Sequence, residues 1–339
     1  MIQNNVKNDK KYLTFSDVPV LLIGFNRPKL IKARVNELSL MPIKKLYISL
    51  DGGSDENYNQ MLKVMKWSQA KLKHIEYLKI YMQEKNLGMV KHITSTITML
   101  LKKHSHLVII EDDISLAENF FENMVRGLNH QIKTGNFGIV GGFSALNLSK
   151  FRFYENKWRE SNYCAIWGWG CSAEVWKHYS NTLDEKKFTT DLAESKSWSN
   201  LSKFQQQTWR GRFYKTIKNP KFTWDIQLQY LSFTRDFINL YPTSTLTRNT
   251  GYSDQRSTNT KNAKPNWMTM VKPDNRIVSN KKIFCITKKF FQMIDANIFM
   301  SDTKFMHWFK HKKKYRVPSI THTHKNLKKK TKMPLDFVE

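Results

Sequence analysis

Leu107-Val108-Ile109-Ile110-Glu111-Asp112-Asp113 is a short apolar, β-branched run that ends in three adjacent carboxylates. A continuous apolar stretch of strand length reads as a strand buried on both faces of a parallel sheet. Ligands of open α/β sheets sit beyond the carboxyl ends of such strands, so acids placed there face a cleft. Neighbouring carboxylates repel one another. A hard, oxygen-seeking cation such as Mg2+ or Mn2+ relieves the repulsion while bridging to substrate phosphates. The same acids also suit a first helical turn, where the dipole favours them, and Leu116, Phe120, Phe121 and Met124 predict a helix just downstream.

Working outward, the elements before this run alternate. Val18 to Phe25 reads as a first strand, closed by Asn26-Arg27-Pro28, with Pro28 suited to the first turn of a helix carrying Leu30, Ile31, Val35 and Leu38. Leu46 to Leu50 is a second strand ending in Asp51-Gly52-Gly53, and Ile75 to Tyr81 a third. Helices are expected near Asn57 to Ala70 and Met89 to Lys102. This alternation builds a parallel sheet with right-handed crossovers. No GxGxxG follows the first strand and no GxxxxGK[ST] occurs, so a bound phosphate must be held by metal and side chains. Asp51 also stands at a strand end, beside glycines that allow close approach of a ligand, although Asp-Gly is an ordinary turn signal as well.

Beyond the acids the periodicity changes. Phe137 to Gly142 reads as a strand, and Ala165-Ile166-Trp167-Gly168-Trp169-Gly170-Cys171 leads into a helix through Glu174, Val175 and Trp176. Tryptophans interleaved with glycines form either a flat accessible surface for a sugar ring or lipid, or a buried pair packed on glycine backbone. Trp224-Asp225 places a carboxylate among aromatic residues at a helix start, as a general base or an N-cap.

The chain of 339 residues is 40% hydrophobic, enough to bury one large core or two smaller ones. Met1 to Lys11 is polar and basic with no apolar core, so no secretory signal is expected, and no stretch approaches the length needed to cross a bilayer. Cys164, Cys171 and Cys285 form no CxxC pair, which fits reduced packing residues in a cytoplasm. A net charge of +28 gives a surface that attracts polyanions. The charge thickens at Lys310 to Arg316 and Lys325 to Lys332, after an apolar and aromatic stretch from Phe290 to Phe309. That combination suits contact with an anionic cytoplasmic leaflet or, equally, a solvated basic tail.

Taken in order, these motifs resemble the GT-A-fold nucleotide-sugar glycosyltransferases, closest to bacterial relatives of the N-acetylglucosaminyltransferase I group. The resemblance runs from about Val18 to about Asn259. It is carried by Asn26-Arg27-Pro28, Ile48-Ser49-Leu50-Asp51-Gly52, Asn86-Leu87-Gly88, Ile109 to Asp113, Trp167 to Gly170 and Trp224-Asp225. It implies a Rossmann-like α/β fold with a mostly parallel central sheet flanked by helices, followed by a basic, mainly helical C-terminal region. The expected organisation is a polar extension over 1–15, a glycosyltransferase domain over 16–260, divided into a nucleotide half (16–143) and an acceptor half (144–260), and the basic region over 261–339.

By that resemblance Asp113 would bind Mn2+ or Mg2+. Glu111 and Asp112 would order the site and hold the ribose, and Asp51 would meet uracil or another base with Arg27 nearby. Asn26, Gly52, Asn86 and Gly88 would complete the nucleotide site. Trp167, Gly168, Trp169, Gly170 and Trp224 would face the sugars. Asp225 would be the base that deprotonates the acceptor hydroxyl; the eukaryotic members carry a second acid after it, where this chain has Ile226. The polar stretch from Thr247 to Ser257 resembles a mobile loop closing over the donor, with Arg248, Ser253 and Arg256 toward the diphosphate, although a solvated loop is the alternative.

The expected activity is inverting transfer from a nucleotide-sugar, a UDP-sugar above all, to a glycan or lipid-linked glycan acceptor in bacterial surface polysaccharide or lipopolysaccharide synthesis. The expected location is cytoplasmic or peripheral at the inner face of the membrane. The rivals are a basic nucleic-acid-binding protein and a metal-dependent phosphodiesterase. No nucleic-acid module is recognisable and the clustered acids would repel phosphate, so no nucleic acid partner is expected.

Overall fold

The computed structural model describes residues 12–144, 155–253, 272–280 and Asp295. Its centre is an eight-stranded sheet. β1 (Val20–Gly24), β2 (Lys45–Leu50), β3 (Tyr77–Met82) and β4 (His106–Glu111) pair in parallel in the order β3-β2-β1-β4. Helices α1 (Pro28–Leu38), α2 (Asp55–Lys71) and α3 (Met89–Leu101) make the crossovers. The chain thus moves outward from β1 to β3, then returns through α3 to the other side of β1. The gap between the ends of β1 and β4 is therefore a topological switch point, where such sheets bind ligands.

β4 continues directly into a short strand, β5 (Ile114–Leu116), and then into α4 (Phe120–Thr134). The rest of the sheet is β6 (Val140–Gly141), β7 (Trp158–Ser161), β8 (Trp169–Ser172) and β9 (Asn239–Pro242), in the order β4-β8-β6-β9-β7. β8 runs antiparallel to both β4 and β6, β6 and β9 are parallel, and β7 closes the edge antiparallel to β9. Six strands therefore share one direction and two oppose it, which is the mostly parallel α/β sheet expected of a GT-A fold.

The strand-length apolar runs are doubly buried for a visible reason. Val20, Leu22, Leu46, Ile48, Val108 and Ile110 point to one face, where α1, α2 and α4 cover them. Leu21, Ile23, Tyr47, Leu107 and Ile109 point to the other, against α3 and Trp169. Each such aliphatic side chain contributes about 1.5–3 kcal/mol when fully buried. β3, an edge strand, is only half covered, with Tyr77 exposed. The strand expected from Phe137 is confined to Val140–Gly141, because Phe137 is exposed and the chain reaches the sheet only where Val140 packs inward.

Between β8 and β9 lie five helices: α5 (Ala173–Trp176), α6 (Phe188–Ala193), α7 (Lys196–Ser199), α8 (Lys203–Lys218) and α9 (Asp225–Thr234). The last four share an aromatic cluster of Tyr163, Trp198, Trp209, Phe213 and Phe233. Residues 272–280 pack back onto the sheet domain, where Val278 is buried and its N–H donates to Asn123 Oδ1 at 2.8 Å. Cys164 and Cys171 are buried free thiols. Among the described residues no helix is long and apolar enough to cross a membrane. The basic stretches after Phe290 lie outside the described residues, Asp295 excepted.

Candidate active site

The loops leaving β1 and β4 meet at the switch point. Arg27, just before α1, donates through Nε to Asp112 Oδ2 at 3.1 Å, through Nη2 to Asp112 Oδ1, and through Nη1 to Asp113 Oδ2 at 3.1 Å. The cation that relieves the carboxylate repulsion is therefore supplied by the chain. A planar fork matches two neighbouring carboxylates, which is the contact Arg27 makes here. Burial alone would weaken the Arg27 cation, but Asp112 and Asp113 outweigh it and hold its pKa up.

The three acids are not equivalent. Asp112 is buried and has both oxygens bonded to Arg27, so it anchors the loop. Burial pushes its carboxyl up to about 7 against the pull of Arg27. Glu111 ends β4. Burial first, then the charges of Asp113, Asp112 and Asp225, push it up to about 8. Among the described residues the Asp113 carboxylate hydrogen-bonds only through Oδ2, with Arg27, and its side chain keeps 14% exposure, which leaves Oδ1 open. The helix-start alternative for these acids fails: they span the junction of β4 and β5, and α4 begins only at Phe120.

Asp113 is also fixed from a direction the sequence did not reveal. Strand β10 (Thr247–Asn249) pairs antiparallel with β5, setting Arg248 opposite Ser115. Thr250 then donates from its N–H at 2.7 Å and its hydroxyl at 2.8 Å to the Asp113 carbonyl. Gly251 opens a short 3-10 turn through Ser253, and a Cβ on Gly251 would come within 2.4 Å of Asp113 Oδ2. The stretch expected as a loop is thus a strand and a tight turn up to Ser253, because β5 offers it a ladder. Arg248 Nε is buried and without a hydrogen-bond partner among the described residues. Arg256 lies outside the described residues.

Asp51 holds its neighbours in place. Its Oδ1 accepts from Gly52 N at 2.9 Å and Leu87 N at 2.8 Å, and its Oδ2 from Gly88 N at 3.0 Å. Asn86 Oδ1 shares Gly88 N at 2.8 Å. The two motifs join because Gly52 has no side chain: a Cβ there would lie 2.3 Å from the Lys85 carbonyl carbon. Gly88 caps α3 at φ +78°, a conformation that suits glycine. Beside this corner Phe25, Leu50, Asp51, Gly53, Tyr58 and Met82 line part of a small solvent-open depression. Asn26 sits in the bend between β1 and α1.

The tryptophan motif divides. Trp169 is wholly buried in β8, stacked on the buried Trp224 at 5.8 Å between ring centres, so neither offers a face to a sugar. The glycines are the reason: Gly170 lies flat on the Leu107 carbonyl and Val108, and Gly168 turns the chain at φ +71° with room for no Cβ beside Thr247 and Phe120. Trp167 alone stays partly exposed, its ring set edge-on to Phe143 at 4.5 Å.

Trp224 is the N-cap residue of α9 and Asp225 its first residue, accepting from the Thr223 hydroxyl, so Asp225 does not cap the helix. Its charge reaches Glu111, Tyr179 and Arg212, which brings the two carboxylate motifs into one electrostatic neighbourhood. Ile226 packs on the aromatic cluster of α6 to α9, so an acid at this position would be driven into an apolar environment.

Among the described residues no three His, Cys, Asp or Glu side chains form a ready cage for a metal. One carboxylate with a single open oxygen, Asp113, nevertheless fits a hard cation that brings most of its oxygen ligands from a substrate diphosphate and water. Arg34, buried with Nε and Nη1 unpartnered, lies behind Asp112 and salt-bridges Glu37 at 2.8 Å, and Glu37 accepts from Leu116 N at 3.0 Å. Nothing in the sequence singled out this second arginine, because a polar residue on a helix reads as solvated until its neighbours are known.

No protein-family model and no curated protein matches the sequence. Solved structures similar to this chain include a mannosyltransferase from Pyrobaculum calidifontis in complex with GDP-mannose and Mn2+, at 10% identity and a TM-score of 0.36 over 64% of this chain and 69% of that one. Another is the glucosyl-3-phosphoglycerate synthase of Mycobacterium tuberculosis, at 14% identity and a TM-score of 0.29 over 47% of this chain and 58% of that one. A third is a glucose-1-phosphate thymidylyltransferase, so described, from Bacillus anthracis, at 9% identity and a TM-score of 0.31 over 48% of this chain and 74% of that one.

Proposed function

We propose that this chain is a metal-dependent glycosyltransferase that moves a sugar from a nucleotide-sugar, a UDP-sugar first, to a hydroxyl of a glycan acceptor with inversion. The observation that carries this reading is the meeting of Arg27 with Asp112 and Asp113 at the β1/β4 switch point, with the Asp51 corner on one side and Asp225 on the other. An acid cluster neutralised by its own arginine can receive a diphosphate that arrives with a cation, where bare carboxylates would repel it.

In this reading the base and ribose lie along the cleft between Phe25 and Tyr58, and the Asp51 corner fixes the floor beneath them. Asp113 Oδ1 would hold a divalent metal, Mn2+ or Mg2+, which when bound neutralises the diphosphate as it leaves. Arg248 Nε supplies a buried donor that wants an anion, Ser253 closes the turn after the same strand, and Arg256 would add a second guanidinium toward the diphosphate. Trp167 and Gly168 border the sugar, with the buried Trp169, Gly170 and Trp224 as its support. Asp225, opposite the acids, takes the proton of the attacking hydroxyl in a single displacement.

The catalytic unit would span 16–260, with kinship to the N-acetylglucosaminyltransferase I group. The pathway would be surface polysaccharide or lipopolysaccharide synthesis at the cytoplasmic face, where the basic region over 261–339 would meet anionic lipid. Calorimetric titration with UDP-, GDP- and CDP-sugars, with Mn2+ and then with EDTA, tests the reading. Metal-dependent binding of one nucleotide class, lost in Asp113→Asn with the fold retained, is expected; binding of no nucleotide-sugar sinks it.

A further inference from the structure

We propose that the exposed face of α8 and the turn after it form a docking surface for an anionic phospholipid membrane. From Ser195 to Trp224 the chain carries seven Lys and Arg residues and no Asp or Glu. Within that stretch Phe204 (60% exposed), Tyr214 (52%) and Phe222 (51%) stand out in solvent, an unusual position for three large rings on one basic segment.

Helical geometry sets them together. Phe204, Gly211, Tyr214, Lys215 and Lys218 follow one another at spacings of seven, three, one and three along α8, which keeps them on one side of the helix. Trp209, Phe213 and Thr216 form the opposite, buried side. Phe222 joins the exposed side through Lys215, whose ammonium lies 4.5 Å from its ring centre, as that of Lys218 lies 5.1 Å from Tyr214. The centre of the face is open: a Cβ on Gly211 would meet nothing within 4 Å. Glu185 takes up Lys218 at 2.9 Å, and no acid on α8 itself offsets Lys203, Arg210 or Lys215.

A protruding helix of rings between ammonium groups matches the layered chemistry of a bilayer surface. The rings settle at the headgroup boundary while long Lys stems hold their charges to the phosphates. Single-stranded nucleic acid is the less suitable occupant, because it is bound along a charged groove that tracks the backbone. On its inner edge, α8 comes near the candidate base: Arg212 lies in the field of Asp225. A membrane on the outer edge would therefore hold Asp225 near the lipid surface. This surface is independent of the transferase reading, which donor titration tests separately.

The test is sedimentation of the full-length chain with phosphatidylcholine vesicles that contain or lack phosphatidylglycerol. The wild type is expected to bind only the anionic vesicles. Combined Phe204→Ser, Tyr214→Ser and Phe222→Ser should lower partition on the order of tenfold or more. Lys203→Glu with Lys215→Glu should lower it by at least about fivefold per site, since one Lys near such a surface is worth about that factor. Thermal unfolding like that of the wild type is expected for both variants, and the charge pair stands as the test if the aromatic set does not fold. The proposal is overturned by wild-type partition in the charge-pair variant, by no binding of the wild type to anionic vesicles, or by loss of oligonucleotide binding with vesicle binding intact.

Discussion

Arg27 spans Asp112 and Asp113, 85 and 86 residues downstream, with a nitrogen 3.1 Å from an oxygen of each. The contact ties the end of β1 to the end of β4 at the point where the sheet reverses its order. Replacing Arg27 with Ala leaves Asp112 buried and unpaired, and removing one partner of such a pair costs about 3 kcal/mol or more. Arg27→Lys should recover only part of that loss, since an ammonium cannot fork across two carboxylates. Urea unfolding of the three proteins checks the ranking; an Arg27→Ala midpoint equal to wild type would remove the anchoring role.

Glu111 should make stability depend on pH in an unusual direction. Its folded-state pKa is raised to about 8 from an ordinary 4.5. Between those values the folded state binds the extra proton, so this group costs stability progressively as pH rises through the window. Glu111→Gln is expected to raise the melting temperature by a few degrees near pH 8 and to leave it unchanged near pH 4. Melting curves across that range decide it, and a constant difference at every pH would refute the assignment.

Gly52→Ala would force a Cβ to 2.3 Å from the Lys85 carbonyl carbon, with backbone on both sides that cannot swing away. The Asn86-Leu87-Gly88 corner must then move off Asp51. Overpacking of this kind costs about 1–3 kcal/mol, and the nucleotide affinity should fall with it. Asp51→Asn keeps the shape but weakens the bonds to Leu87 and Gly88, so it is expected to fall between wild type and Gly52→Ala in both stability and affinity.

Asp225→Asn tests the proton acceptor. A positioned base contributes roughly 10²–10⁴-fold, so kcat should fall by that order while the donor KM stays within about twofold. Ile226→Asp should fail to restore activity in that variant, because its side chain faces the aromatic cluster. Restored transfer would move the base to position 226.

Several of these features were readable in the chain alone. Val18 to Phe25 and Leu46 to Leu50 announced strands of a parallel sheet, and Leu107 to Ile110 one buried on both faces, since a run of aliphatic residues with no polar alternation has to be covered on both sides. The placement of acids at strand ends followed from the same pattern. Local sequence also marked the start of α9 near Asp225.

The chain by itself determined the strands and helices of the first half, β1 to β4 with α1 to α3, and where carboxylates leave the sheet, because burial periodicity and turn chemistry act over a few residues. Only the tertiary structure decided that Arg27 pairs with Asp112 and Asp113, that Asp51 is committed to the Leu87 and Gly88 N–H groups, and that Trp169 and Trp224 are core. It also turned Thr247–Asn249 into a strand against β5. Each of these depends on a partner dozens to more than a hundred residues away. The free energy that selects it, an ion pair against desolvation or a ladder bond against water, has no value until the fold has brought both partners together.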